Sequence, residues 1–361
     1  MKILWLANIP SPYSVDFFSE LGKLCELTVL FERSSATDRD ESWQGFEFRN
    51  FTGKILRGIR YGADKALCPG ILGYLNKDYD VIVVSNMATL SGILAVTWLR
   101  INNIQYVIQG DGGFAGSGTG IKEKLKHFLI SGAALCLSTG ISHDDYYRTY
   151  GARALARIPF SSIWRRELAP APATEAEKRA LRERLGLPEG RLILSVGQFI
   201  PRKGFDILIA AFQGISADTH LCIIGGTPPQ SYLDQSSQQQ VRNCMFLPFV
   251  RHEDIGEYFR AADLFVLPTR EDIWGLVVNE AMAQGLPVIT TDRCGAGLEL
   301  VDDRNGEVVP VEDVQALTTA MQRVLSGNLT ALGQSSLEKM QDYTVENAAR
   351  VHIRCMRMIK K

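Results

Sequence analysis

No two of the seven cysteines in this 361-residue chain stand at C-x-x-C spacing, and their number is odd. Cys25, Cys68, Cys136, Cys222, Cys244, Cys294 and Cys355 are scattered, several inside apolar runs such as LCIIGG and ALCLS. Neither a disulfide framework nor a cysteine-ligated metal is expected; buried, reduced thiols are. No run of about 18 uninterrupted apolar residues exists, which argues against a membrane-spanning helix. The start, MKILWLANIPSPY, lacks the long apolar stretch of a signal peptide. These absences predict a cytoplasmic location and leave peripheral binding at the inner face of a membrane open. Charge bias is missing too: the formal net charge is −1, so no nucleic-acid partner is expected. There is no repeat of fixed period. No His/Cys/Asp cluster has metal-ligand spacing, so neither a metal nor a cofactor is expected.

What is present is ordinary for a globular protein: 46% apolar and 22% charged residues. At roughly 100–200 residues per domain, the length predicts two domains. Short apolar runs alternate with helical patterns. Lys2–Ala7, Leu27–Phe31, Val81–Ser85, Tyr106–Gln109 and Leu135–Ser138 read as strands, and Tyr13–Leu24 as a helix. Residues 167–190 are rich in proline and charge and read as a linker leading into a surface helix. The alternation then restarts, with strands at Leu192–Val196, Leu221–Ile224, Met245–Leu247, Leu264–Leu267 and Val288–Thr291. Helices are expected at Phe205–Phe212, Leu276–Gln284 and Val314–Leu325. The expected fold is α/β: two doubly wound, Rossmann-like domains, 1–166 and 191–344, facing each other across a cleft. Sheets of this kind bind ligands at the carboxyl ends of their strands.

The segment Leu267–Thr291, LPTREDIWGLVVNEAMAQGLPVITT, carries most of the chemistry. A strand ends at Leu267, a loop carries Arg270, Glu271 and Asp272, and Gly275 opens an apolar helix. Glu280 sits inside that helix, where a buried carboxylate is costly unless paired. One reading is a contact with the helix dipole or a neighbouring arginine. The other is a carboxylate that accepts two hydroxyl hydrogen bonds, as from a ribose diol. A second segment, SVGQFIPRKGFD, feeds a strand into a turn with adjacent Arg202 and Lys203. Alone it could be a solvated basic turn; a lysine charge-assisted to phosphate is the alternative. In the first half, QGDGG follows a strand and precedes the glycine-rich loop 110–120. The G-x-G-x-x-G spacing of a dinucleotide site is incomplete there. Asp111 is either a turn former beside Gly112 or a group that orients an acceptor hydroxyl. His127 and His143 read as helix-surface residues.

The second half resembles the retaining family 4 glycosyltransferases of GT-B fold. In that family two acidic residues frame seven others before a run like EAMAxGxPVI. The resemblance implies that Glu280 holds the donor ribose. It implies that Asp272, or Glu271 beside it, meets the donor sugar, and that the amides around Gly275, Leu276 and Val277 face the phosphates. This family usually has Glu at the position of Asp272. Lys203 matches its diphosphate-binding lysine; the arginine that commonly follows the VG pair is Gln198 here, and Arg202 is a candidate replacement. FLPFV, with Phe249 and Val250, is similar to the segment bordering the nucleotide base. The resemblance further implies an N-terminal acceptor-binding domain to which a final helix (345–361) returns. It also implies metal-independent transfer with retention from a nucleotide sugar to a saccharide or lipid-linked saccharide, of the bacterial surface-polysaccharide type. Two rivals stay open: another GT-B enzyme such as a phosphorylase or nucleotide-sugar epimerase, and a non-catalytic sugar-nucleotide-binding module.

Overall fold

The apolar hexapeptide KILWLA forms β1 (Lys2–Ala7), buried from Ile3 onward. A parallel strand covered on both faces has to be apolar throughout, not alternately. The computed structural model describes residues 1–34, 47–61, 65–116, 118, 120–238 and 243–359. Ser117 and Thr119 of the glycine-rich loop lie outside them.

After β1 come α1 (Pro12–Leu21), β2 (Glu26–Phe31), β3 (Thr52–Ile55) and a hairpin of β4 (Ile59–Tyr61) and β5 (Lys65–Leu67). Then follow β6 (Val81–Val84), α2 (Leu90–Ile101), β7 (Val107–Gln109), α3 (Ile121–Ser131), β8 (Leu135–Ser138), α4 (Ile141–Thr149) and β9 (Leu155–Arg157). Seven of these strands make one parallel sheet in the order β3-β2-β1-β6-β7-β8-β9. The order reverses between β1 and β6. One face packs Trp5, Val29 and Val83 against Phe18 and Leu21; the other packs Leu4, Leu6 and Ile82 against Ala95 and Leu99. The helix read as Tyr13–Leu24 stops at Leu21. It starts on a capping box in which the Ser11 and Ser14 side chains take each other's backbone N–H, with Pro12 fixing the first helical φ.

The chain divides into two units, Met1–Ser162 with Thr344–Lys361, and Ile163–Tyr343. The second contains α5 (Glu175–Leu185), β10 (Arg191–Val196), α6 (Phe205–Phe212), β11 (Thr219–Ile224), α7 (Gln230–Gln238), β12 (Cys244–Leu247) and α8 (His252–Ala261). It continues with β13 (Leu264–Leu267), α9 (Leu276–Ala283), β14 (Val288–Thr291), α10 (Gly295–Leu300), β15 (Gly306–Val309), α11 (Val314–Ser326) and α12 (Leu329–Met340). Its six-stranded sheet runs β12-β11-β10-β13-β14-β15, parallel throughout, with the order reversing between β10 and β13. The last helix, α13 (Val345–Met356), belongs to the first unit. Ala349, Ile353 and Met356 join the core beneath α1, and His352 lies 4.6 Å from the Phe17 ring.

The stretch 167–190 carries the helix it was expected to lead into. Its helix α5 is part of the second unit, anchored by two buried cations. Lys178 Nζ donates to Asp263 Oδ1 at 2.6 Å, and Arg182 Nη2 to Asp263 Oδ2 at 2.8 Å. Two of the charges in this stretch neutralise a buried aspartate. All seven cysteines are free thiols, and burial pushes Cys136 and Cys222 up to about 12. Among the described residues no helix is long and apolar enough to cross a membrane.

Candidate functional site

A doubly wound sheet leaves a crevice where its strand order reverses, because the connections leave in opposite directions there. In the second unit this point lies at the carboxyl ends of β10 and β13. The loops that follow those two strands are the ones singled out in the sequence, 197–204 and 268–275. They are locked together. Gly204 has φ +68°, and a Cβ there would meet the Pro268 carbonyl oxygen at 2.0 Å. Arg270 N–H donates to Arg202 O at 2.8 Å. The Arg270 guanidinium grips Asp206 through both Nη atoms, at 2.9 and 2.7 Å, and Glu312 through Nε at 2.8 Å. This clamp was not apparent from the sequence, because its members lie 64 and 42 residues apart.

Within this frame the structure brings Lys203, Arg202 and Asp272 together. Lys203 Nζ reaches Asp272 Oδ2 at 2.5 Å, and Arg202 Nη1 reaches Asp272 Oδ1 at 3.2 Å. Arg202 also donates to the Glu271 carbonyl at 2.7 Å, while the Glu271 side chain is exposed. Asp272 is the acid that faces the basic turn. Its backbone is pinned on both sides, donating to Arg293 O at 2.8 Å and accepting from Gly295 N–H at 3.0 Å.

Gly275 opens α9 with φ +97°, where a Cβ would stand 2.9 Å from Cys294 Sγ. That left-handed residue turns the chain so that the amides of Leu276 and Val277, which have no partner inside the helix, start at the crevice. Trp274 Nε1 donates to the buried Asn279 Oδ1 at 2.8 Å and fixes the same turn. Glu280 lies one turn further on. It is half-buried, with 20% of its side-chain surface exposed, and its nearest countercharge is His252 Nδ1 at 3.9 Å. Burial raises the Glu280 carboxyl above the usual range, and the Glu167 charge adds to that. Among the described residues no arginine pairs with it. Gln198 is exposed on the loop after β10. Phe249 is exposed and Val250 half-buried after β12. Among the described residues no group of His, Cys, Asp and Glu could hold a metal ion. A larger hollow of about 740 Å³ lies by β15, α11 and α12. Both of its arginines are already paired, Arg304 with Asp302 at 2.9 Å and Arg323 with Glu307 at 3.0 Å.

Asp111 belongs to the first unit. It is exposed at a cavity of about 260 Å³ by the β1/β6 reversal, lined also by Asn8, Tyr13, Ser85, Gln109 and His352. His352 Nδ1 lies 2.7 Å from Ala348 O, so Nδ1 carries the proton. Burial pushes the His352 pKa down to about 4, which keeps the ring neutral. Its Nε2 lies 2.9 Å from Gln109 Oε1, which ties β7 to α13 at the cavity wall. These two residues are 243 positions apart, and no sequence pattern links them. His127 is exposed as expected, but His143 is buried. It stacks on Tyr147 with centroids 4.1 Å apart. The aromatic residue four positions on, one helical turn away, covers it.

Residues 177–350 match the family described as Glycosyl transferases group 1. The D-inositol 3-phosphate glycosyltransferase of Xylanimonas cellulosilytica is 29% identical over 202 residues, 54% of this chain and 48% of that protein. The GDP-mannose-dependent alpha-(1-6)-phosphatidylinositol monomannoside mannosyltransferase of Mycolicibacterium smegmatis is 33% identical over 168 residues, 43% of this chain and 44% of that protein. The chain thus spans about half the length of these curated relatives. Anabaena Alr3699/HepE, solved in complex with UDP, superposes with TM-score 0.77 at 17% identity, covering 99% of this chain and 100% of that one. The two doubly wound units are those of the GT-B fold, and residues 177–350 are similar to the glycosyl transferases group 1 family.

Proposed function

We propose that this chain is a glycosyltransferase that moves a sugar from a nucleoside-diphosphate sugar to a saccharide or lipid-linked saccharide acceptor, with retention and without a metal ion. The observation that carries the reading is Glu280: a half-buried carboxylate with no strong partner, one helical turn beyond amides that open beside a basic turn. A ribose diol would give its oxygens the two donors they lack. The diphosphate would lie on Lys203, Arg202 and the Leu276 and Val277 amides, where a helix start and two cations favour negative charge. These groups would stabilise the leaving diphosphate as its charge develops. Asp272, held between two cations, suits charge balance rather than nucleophilic attack, which supports front-face transfer with retention. The role in surface-polysaccharide assembly rests on the resemblance alone. Calorimetric titration with UDP and GDP should give the same affinity with and without a chelator. Binding that vanishes with the chelator would overturn metal independence.

The lipid-linked arm has its own support in the first unit. Leu90, Leu94, Trp98 and Ile101 form a stripe along α2, with Leu90, Trp98 and Ile101 exposed, and Ile121 and Phe128 are exposed on α3. The α2 start is tied to the β4–β5 hairpin by Leu90 N–H donating to Tyr61 Oη, and its end to α3 by Arg100 over the Phe128 ring at 4.2 Å. Arg57, Arg60, Lys122 and Lys124 are exposed on the same elements and the residues flanking them. Each basic side chain near an anionic bilayer adds about 1 kcal/mol, and the aromatic and aliphatic groups insert at the interface. The chain should float with vesicles of mixed phosphatidylglycerol and phosphatidylcholine but not with phosphatidylcholine alone. Trp98→Ala combined with Lys122→Ala and Lys124→Ala should abolish flotation; co-flotation of that variant at wild-type level would refute this surface.

A further inference from the structure

We propose that Asp272 is the internal counter-ion of the phosphate site: in the free chain it holds Lys203 and Arg202, and a nucleoside diphosphate binds by displacing its carboxylate. The inference rests on the phosphate assignment made under Proposed function and goes beyond it.

Each carboxylate oxygen takes one cation, Oδ2 the Lys203 ammonium and Oδ1 the Arg202 guanidinium. The Lys203 and Asp272 side chains are only 13% and 14% exposed. A pair so poorly solvated attracts far more strongly than one in open water. Neither backbone can drift. Asp272 is bonded fore and aft, and the Lys203 turn is held against β13 through Gly204 and Arg270. The pair therefore opens by side-chain rotation. The third cation of these loops, Arg270, is already committed to Asp206 and Glu312. Of the cations in these two loops, Lys203 and Arg202 are left for an incoming diphosphate, and Asp272 claims both. Two anions cannot share them without like-charge repulsion.

Displacement has a direction. The Asp272 Cγ lies 3.8 Å from where a Cβ on Gly275 would stand, at the start of α9. A carboxylate released from Lys203 stays beside the start of α9, where the phosphate assignment places the donor. Phosphate binding then does two things at once: it takes over the cations and frees an acid at the helix start. Asp272 thereby costs ground-state affinity for the nucleotide and returns it as an interaction available only once donor is bound.

Calorimetry with UDP and GDP tests this on the whole chain. Asp272→Asn, which keeps the shape and removes the charge, should bind both nucleotides on the order of tenfold more tightly than wild type. Asp272→Glu should bind close to wild type. Steady-state hydrolysis of nucleotide sugars should show Asp272→Asn slower despite its tighter binding, a combination that a folding defect does not produce. Lys203→Ala should lose binding. If Asp272→Asn binds no better than wild type while Lys203→Ala loses binding, the counter-ion role is overturned and the phosphate assignment stands. If Lys203→Ala binds as wild type, the phosphate assignment fails and the inference with it.

Discussion

Replacing Asp263 with alanine is expected to destabilise the second unit by about 3–5 kcal/mol, the cost of breaking a buried ion pair by removing one partner. Asp263 is 2% exposed and accepts three hydrogen bonds: from Lys178 Nζ at 2.6 Å, Arg182 Nη2 at 2.8 Å and Leu192 N–H at 2.8 Å. Alanine removes the one carboxylate between two buried cations and takes the acceptor from the Leu192 amide at the base of β10. Such a loss is a large share of the ~5–15 kcal/mol that holds a typical domain. The same site predicts an acid limb. Burial alone pushes the Asp263 carboxyl up, but Lys178, Arg182 and the Leu192 N–H outweigh it and hold it below the usual aspartate value. The folded chain therefore binds fewer protons here than the unfolded chain. The stabilisation is complete above the unfolded value of ~3.9 and is lost as pH falls through the lower folded one. Scanning calorimetry at neutral and acid pH checks both statements. Equal melting of variant and wild type at neutral pH would show that α5 does not depend on this network.

The strands of the second unit were legible because a parallel strand buried on both faces must be continuously apolar. Leu264–Leu267 and Val288–Thr291 are observed with the bounds expected. Gly275 was legible as a helix opener because a left-handed turn between a polar loop and an apolar run calls for glycine. Pairings were not legible. Lys203 and Asp272 are 69 residues apart, and Lys178 and Asp263 are 85 apart. Nothing local to LRERLG or RKGFD reveals which cation meets which acid. The stretch 167–190 reads as a linker leading into a surface helix; the helix is there, but nothing local shows that its Lys178 and Arg182 carry a buried network. Sequence order ranked Asp272 and Glu271 only by counting from Glu280. The structure separates them physically, one paired with two cations and the other turned to solvent.

Glu280→Gln should weaken binding of UDP and GDP by tenfold or more while leaving the melting temperature unchanged or higher. A carboxylate facing a ribose diol accepts from both hydroxyls; the amide can accept only through its oxygen and must turn its NH₂ to the other hydroxyl. Hydrogen bonds to charged groups contribute about 1.5–3 kcal/mol, so losing one costs about a factor of ten to a hundred in affinity. The stability half of the prediction follows from what surrounds the side chain. Burial and the Glu167 charge raise its carboxyl above the usual range, and His252, 3.9 Å away and mostly exposed, offsets this only in part. A raised folded-state carboxyl means that the folded chain holds its proton more tightly than the unfolded chain. Ionisation of Glu280 at neutral pH therefore works against folding, and the loss grows as pH rises through the unfolded value. Removing the charge removes that penalty. A structural glutamate would behave the other way, with glutamine lowering the melting temperature and nucleotide affinity falling only as the fold is lost. Calorimetric titration beside thermal melting separates the two: normal nucleotide affinity in a stably folded Glu280→Gln would take the ribose contact away from this residue.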